Sequence, residues 1–148
     1  MIDWLFLIYK IPREPSSKRV CVWRKIKKIG ALKLQDAVFA LPYSERNLEK
    51  FQKIAQRITE IEGEVTIWKS CPVSEYQEEA LIKQFNENIN NQYNDILQRL
   101  DKMISIADIC EKTVLLQNIT AEYTEIKRRD YFNADLSVKI DEILTQAR

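Results

Sequence analysis

The chain opens with a block in which nearly every side chain is apolar. Trp4-Leu5-Phe6-Leu7-Ile8-Tyr9 mixes aromatic and branched residues without a polar break. Such a run fits a strand buried on both faces and central in its sheet. Pro12 and Pro15 end it, because proline cannot donate to a ladder. The period then changes. With Ser16 or Ser17 as N-cap, residues 17–29 place Val22, Ile26 and Ile29 on one helical face, with Trp23 at its flank. Gly30 follows where a left-handed C-terminal residue is favoured. Leu32 to Gln35 alternates and Ala37 to Leu41 is mostly apolar, with a slip at Gln35-Asp36. The slip predicts one bent strand, or two strands joined by a bulge or tight turn. After Pro42, Ser44 caps a helix over about 45–61 whose stripe is Leu48, Phe51, Ile54, Ala55, Ile58 and Ile61. Gly63 closes that helix, and Val65 to Trp68 is a last strand, ended by Pro72.

Residues 3–70 therefore read β-α-β(β)-α-β. The economical solution is a ferredoxin-like α+β sheet with both helices on one face, since right-handed crossovers bring them together. From Ser74 onward the chain has neither glycine nor proline. Ser74 and Gln77 form a capping-box pattern, and Glu75, Glu78 and Glu79 suit the positive end of a helix. Leu81, Phe85, Ile89, Ile96, Leu100 and Met103 make a seam along one long helix, roughly 75–103. A second helix, about 106–129, carries Ile109, Leu116, Ile119, Tyr123 and Ile126, and a short third, about 134–147, carries Leu136, Ile140, Ile143 and Leu144. Long helices with narrow stripes pack as a hairpin or on a second subunit. Two parts are expected: a ferredoxin-like domain over 1–73 and a helical extension over 74–148.

Composition narrows the function more than the fold. With 148 residues, 45% apolar and 30% charged, the chain can bury a real core and is not a disordered polymer. It has no histidine, which removes the Ser-His-Asp triad, the Cys-His dyad and His-containing zinc sites. Cys21, Cys71 and Cys110 are odd in number and scattered, so neither a disulfide scaffold nor a zinc site is expected, and a reducing cytoplasm fits. Trp4–Ile11 is interrupted by Lys10 and too short to span a bilayer, and no signal peptide is read there. There is no P-loop, GxGxxG or GxSxG. Acid pairs such as Glu78-Glu79 and Asp141-Glu142 are adjacent and diverge on a helix. We expect no catalysis, no metal and no cofactor.

The net charge of +1 hides an uneven spread. Residues 1–33 hold nine Lys/Arg against two acids, residues 34–73 five against six, and residues 74–148 nine against fourteen. Between 10 and 28 stand Lys10, Arg13, Lys18, Arg19, Arg24, Lys25, Lys27 and Lys28, with Glu14 alone opposing them. Arg24, Lys25, Lys27 and Lys28 project opposite Val22, Ile26 and Ile29, as a helix side that can lie on phosphates. The alternative is a solvated face whose lysines complement the helix dipole. Arg19 projects between Val22, Ile26 and Trp23, so it can reach back toward the strand ends. Lys127-Arg128-Arg129 reads better as a helix C-terminus stabilised by cations than as a second phosphate contact. Trp4, Trp23 and Trp68 could stack on bases, but core packing is the better expectation for them and for Tyr9, Tyr43 and Tyr131. Cys21 reads as a small packing residue.

Three stretches carry a family resemblance. Trp4 to Pro12, Pro15 to Ala31 and Gln35 to Pro42 resemble the N-terminal domain of the chromate-resistance regulator ChrB. Arg129-Asp130-Tyr131-Phe132 and the short helix after it resemble that domain's ending. The resemblance implies a transcriptional regulator module with DNA binding in this part. The chain ends where the family's second, chromate-responsive domain would begin, so chromate sensing is not implied for it. The stretch from Met1 to Ser70 also resembles the small ferredoxin-like subunit of CRISPR spacer-integration complexes and part of phenylacetate-operon repressors. The former family carries an acid at the end of its first strand for metal-dependent nuclease chemistry. Tyr9-Lys10-Ile11-Pro12 offers no carboxylate there.

The expectation is thus a cytoplasmic, homodimeric DNA-binding regulator module, contacting phosphates through Lys10, Arg13, Lys18, Arg19, Arg24, Lys25 and Lys28. The other reading is an interaction module whose long helices pair with a separately encoded sensor or effector domain. Phe85 and Leu100 are the positions expected to face such a partner.

Overall fold

Nine elements follow one another in the computed structural model, which describes residues 1–13 and 16–147. They are β1 (Trp4–Lys10), α1 (Ser16–Lys28), β2 (Leu32–Gln35), β3 (Val38–Pro42), α2 (Glu45–Glu60), β4 (Glu64–Ser70), α3 (Glu75–Ile104), α4 (Ile109–Arg128) and α5 (Leu136–Ala147). Pro15 and Glu14, invoked above as a strand stop and an opposing charge, lie outside the described residues. The chain divides into two compact units, Met1–Ala80 and Leu81–Arg148.

In the first unit four antiparallel strands run in the order β2-β3-β1-β4, the ferredoxin-like arrangement expected from the β-α-β-β-α-β pattern. β1 is central, flanked by β3 and β4 over nearly its whole length. Its burial is less uniform than an apolar run suggests. Trp4, Leu5 and Leu7 are buried, but Ile8 is 41% exposed. Register sets Leu5 beside Leu41 and Leu7 beside Phe39 and Ile67 on one face, and Phe6 beside Trp68 on the other. The first face also carries Tyr9 and meets α1. There α2 packs on β1 and β4, and α1 packs on α2, burying Val22, Ile26, Phe51, Ile54 and Ile58.

Two of the three tryptophans depart from the core-packing expectation. Trp4 is fully buried, its Nε1 within 3.5 Å of Glu78 Oε2, which also accepts from the Ile2 amide at 3.0 Å. Trp23 and Trp68 are 43% and 58% exposed. Trp68 sits on the face opposite α1 and donates to Thr66 Oγ1 at 2.9 Å. Tyr9, Tyr43 and Tyr131 are half-buried.

The slip at Gln35-Asp36 resolves into both devices expected of it. Two strands are joined by a tight turn with Ala37 left-handed (φ 62°), and a bulge lies between Lys33 and Gln35. Gly30 is left-handed (φ 78°), as its place after a helix demands. After α2 the left-handed residue is Glu62 (φ 64°) rather than Gly63. Gly63 is needed for closeness: a Cβ there would stand 2.6 Å from Ile58 Cγ2 and 2.9 Å from the Lys10 carbonyl oxygen. Ser44 caps α2 by accepting the Asn47 amide at 3.0 Å. Asn47 is buried and donates to the Pro42 carbonyl at 2.8 Å, locking the turn out of β3.

The second unit is built from the helical seam. Ile89, Tyr93, Ile96 and Leu100 of α3 pack with Ile119, Tyr123 and Ile126 of α4 and Ile140 and Leu144 of α5. Phe85 meets Tyr131 and Phe132 edge-on. The stripe is therefore used within the chain, and Phe85 and Leu100 are buried instead of facing a partner. Ile109, read as part of the seam, is 78% exposed because Asp108 caps α4 and leaves its first turn at the surface. Two buried phenols fix the helix ends. Tyr93 donates to Asp130 at 2.8 Å, and the Ala134 amide donates to the same carboxylate at 2.9 and 3.1 Å. Tyr123 donates to Asp141 at 2.6 Å, close to the Ser137 carbonyl oxygen. Burial and the neighbouring carboxylates push both phenols well above the ordinary tyrosine value. Burial would raise Asp141 in turn, but the bonds from Tyr123 and Lys127 outweigh it and hold the carboxyl below its usual range.

Candidate nucleic-acid interface

Helix α1 presents its cations because its apolar face is committed elsewhere. Val22 and Ile26 are buried, and Gly30 stops the helix just after Lys25, Lys27 and Lys28. Those three lysines lie in the last turn, where the helix dipole favours positive charge. Among the described residues, Lys10, Arg13, Lys18, Arg19, Arg24, Lys25 and Lys28 enter none of the seven ion pairs, which form at other positions. Lys27 stands 4.6 Å over the Trp23 ring.

Lys127-Arg128-Arg129 contrasts with this. Lys127 pairs with Asp141 at 3.1 Å, Arg128 with Glu125 at 2.8 Å, and Arg129 donates to Gln92 at 2.9 Å. All three are spent on structure, in keeping with a helix end stabilised by cations.

The candidate cations do not share one surface. Arg24, Lys25 and Lys28 are exposed on the outer side of α1. Lys18 lines a shallow groove between α1 and α2 with Ser17, Cys21, Val22, Arg57 and Ile61. Lys10 and Arg19 turn to a cavity of about 560 Å³ between α1 and the β1–β3 side of the sheet. Arg19 thus reaches the strand ends, as its helical angle suggests. Arg13 is exposed in the segment leaving β1. Positive charge therefore covers more than one side of the helix.

The cavity is not visible in the sequence. Its floor is Tyr9 and Phe39, stacked with centroids 6.1 Å apart and planes 11° apart. Trp23 and Val20 form a wall, and Lys33, Asp36 and Ala37 the far rim. Lys33 pairs with Asp36 at 3.1 Å. Register explains the grouping: Lys33 and Leu7 both lie opposite Phe39, and the Tyr9 amide donates to the Ala37 carbonyl at 3.1 Å. Burial raises the Tyr9 phenol, while the charges of Arg19 and Lys33 pull it down and Asp36 pushes it up. These charges converge on one ring. No group of three or more Cys, Asp or Glu among the described residues is placed to hold a metal ion.

The model of the family described as "Protein ChrB, N-terminal" matches residues 19–148. The chain belongs to this family. As a ChrB N-terminal family member it is a ChrB-like regulatory module. The match takes in Arg19, Arg24, Lys25 and Lys28 of the basic set and the whole of the second unit. No curated protein and no solved structure gave a match. No helix among the described residues is long and apolar enough to cross a membrane.

Proposed function

We propose that this ChrB-family module binds duplex DNA through the cations on and around α1, without catalysis, as a cytoplasmic homodimer. One observation carries the reading. Seven cations lie on α1, at the end of β1 and in the segment leaving it with no acidic partner among the described residues, whereas Arg57, Lys127 and Arg128 elsewhere in the chain are paired. Unpaired charge held by a rigid helix attracts phosphates and releases counterions. Such contacts position a protein and carry no sequence information. The free Cys21, Cys71 and Cys110 fit a reducing compartment.

The test is anisotropy of a labelled random-sequence duplex at about 50 and 200 mM salt. Six phosphate contacts weaken binding by roughly 10³-fold across that range. Arg24→Glu with Lys28→Glu is expected to flatten the salt slope and abolish binding at the higher salt. No binding at low salt refutes the proposal.

A second reading, an interaction module, is favoured by the turn between α3 and α4. Ile104, Ile109 and Val114 are 73%, 78% and 58% exposed there. Phe85→Asp or Leu100→Asp would unfold the second unit, so Ile109→Asp with Val114→Asp is the informative change. Loss of self-association by light scattering, with an unchanged circular dichroism spectrum, would favour this reading.

A further inference from the structure

We propose that the cavity between α1 and the β1–β3 side of the sheet binds a single unstacked nucleotide: one base with its phosphate. The proposal goes beyond duplex binding, because a base inside a double helix cannot offer its flat face to a protein ring.

The lining specifies the ligand class by what it combines. Tyr9 and Phe39 stack with nearly parallel planes at the floor, and Trp23 adds an indole at the wall. Stacking on such surfaces tolerates any base, since every base has a π-face. Lys10 and Arg19 stand at the rim with no ion pair among the described residues. A guanidinium is suited to bidentate phosphate recognition. Asp36 is the carboxylate of the rim, shared with Lys33, and can accept from a base amino group. The volume of about 560 Å³ lies within the range of small-ligand sites. A bare oxyanion would leave three rings unused. An acyl or purely aromatic ligand would leave the cations unused.

The rim is also held in a costly shape. Ala37 is left-handed (φ 62°), a conformation disfavoured for a non-glycine residue. The Tyr9 amide donates to its carbonyl and ties the turn to the cavity floor.

The nucleotide can arrive free or as part of a single strand, and the experiment separates the two. The full chain is titrated with each of the four common nucleoside monophosphates, with inorganic phosphate, with a nucleoside, and with short single-stranded oligonucleotides of mixed sequence. Calorimetry or tryptophan quenching reads binding. At least one monophosphate is expected to saturate the protein, with phosphate or nucleoside alone at least tenfold weaker. Arg19→Ala should weaken binding at least tenfold, as removal of a charge-assisted contact does. Trp23→Leu should weaken it roughly five- to hundredfold through lost stacking. Both positions are exposed enough for the fold to tolerate the change, which circular dichroism verifies. Arg24→Ala with Lys28→Ala should leave monophosphate binding unchanged.

A monophosphate that binds as tightly as the oligonucleotide identifies a free nucleotide as the ligand. An oligonucleotide that binds far more tightly, still sensitive to Arg19 and Trp23, identifies a strand. Failure of every monophosphate and oligonucleotide to bind overturns the proposal. So does binding that is indifferent to Arg19 and Trp23 but lost with Arg24 and Lys28, which is backbone attraction alone. Duplex affinity is measured separately, so either reading can fail without the other.

Discussion

Tyr93→Phe gives a direct test of how the second unit is held together. Tyr93 is fully buried, packs 5.6 Å from the Tyr123 ring and donates to Asp130 at 2.8 Å. Phenylalanine fills the same space, so the packing contribution is retained. The loss is the hydrogen bond to a charged acceptor, a contact with a net value of about 1.5–3 kcal/mol. Asp130 keeps the Ala134 amide, so the lower end applies, about 1.5 kcal/mol at pH 8. In a helical unit of this size that lowers Tm by roughly 6–12 °C. The effect of pH has a definite sign. Burial and Asp130 hold the folded phenol protonated above its ordinary value. The unfolded chain therefore releases a proton near pH 10 that the folded chain retains, and stability falls as pH rises past that point. The loss is about 1.4 kcal/mol per pH unit for the one phenol. Tyr93→Phe is immune to this share, so its deficit should shrink above pH 10 and vanish near pH 11. Urea unfolding followed by circular dichroism at 222 nm measures it, because the three tryptophans all lie in Met1–Ala80. A gap that stays constant between pH 8 and 11 would refute the argument. So would a gap at pH 8 under about 0.5 kcal/mol, the least a typical hydrogen bond contributes.

Two further changes test the first unit, where tryptophan fluorescence is the natural probe. Gly63→Ala should destabilise it by about 1–3 kcal/mol in urea, because the new methyl meets both Ile58 and the Lys10 carbonyl, and backbone must shift. Ala37→Gly should be neutral to stabilising by up to about 1 kcal/mol, since it relieves a left-handed alanine at a small cost in unfolded-state entropy. A marked loss of stability there would show that the turn is not strained.

Helical periodicity survives the passage from sequence to structure well. The seam from Leu81 to Leu100 is buried as its spacing requires, and α3 ends one residue from its predicted limit. Gly30 does what a glycine after a basic helix turn must do. Boundaries slip where a cap decides them: α4 starts at Ile109, since Asp108 accepts the Cys110 and Glu111 amides. Ser16 is already helical. The basic helix was legible too, because charge is local and needs no partner to be counted. The burial of tryptophans was not. Trp23 and Trp68 neighbour apolar positions in sequence, but each lies off the covered face. Asn47 gave no signal, since its bond to Pro42 exists only once α2 has folded back on β3.

The sequence by itself determined what depends on neighbours along the chain: helix and strand periods, caps, turn residues, the local excess of positive charge and the absence of histidine chemistry. Only the tertiary structure decided which charges remain free. Lys127 and Arg19 look alike in the sequence, yet one meets Asp141 of another helix and the other meets an aromatic cavity. That cavity draws on β1, α1, β2 and β3, and sets Tyr9 of the first strand beside Phe39 of the third. Cross-strand register places such groups, and it is fixed by which face of the sheet is buried together with the turns that join the strands.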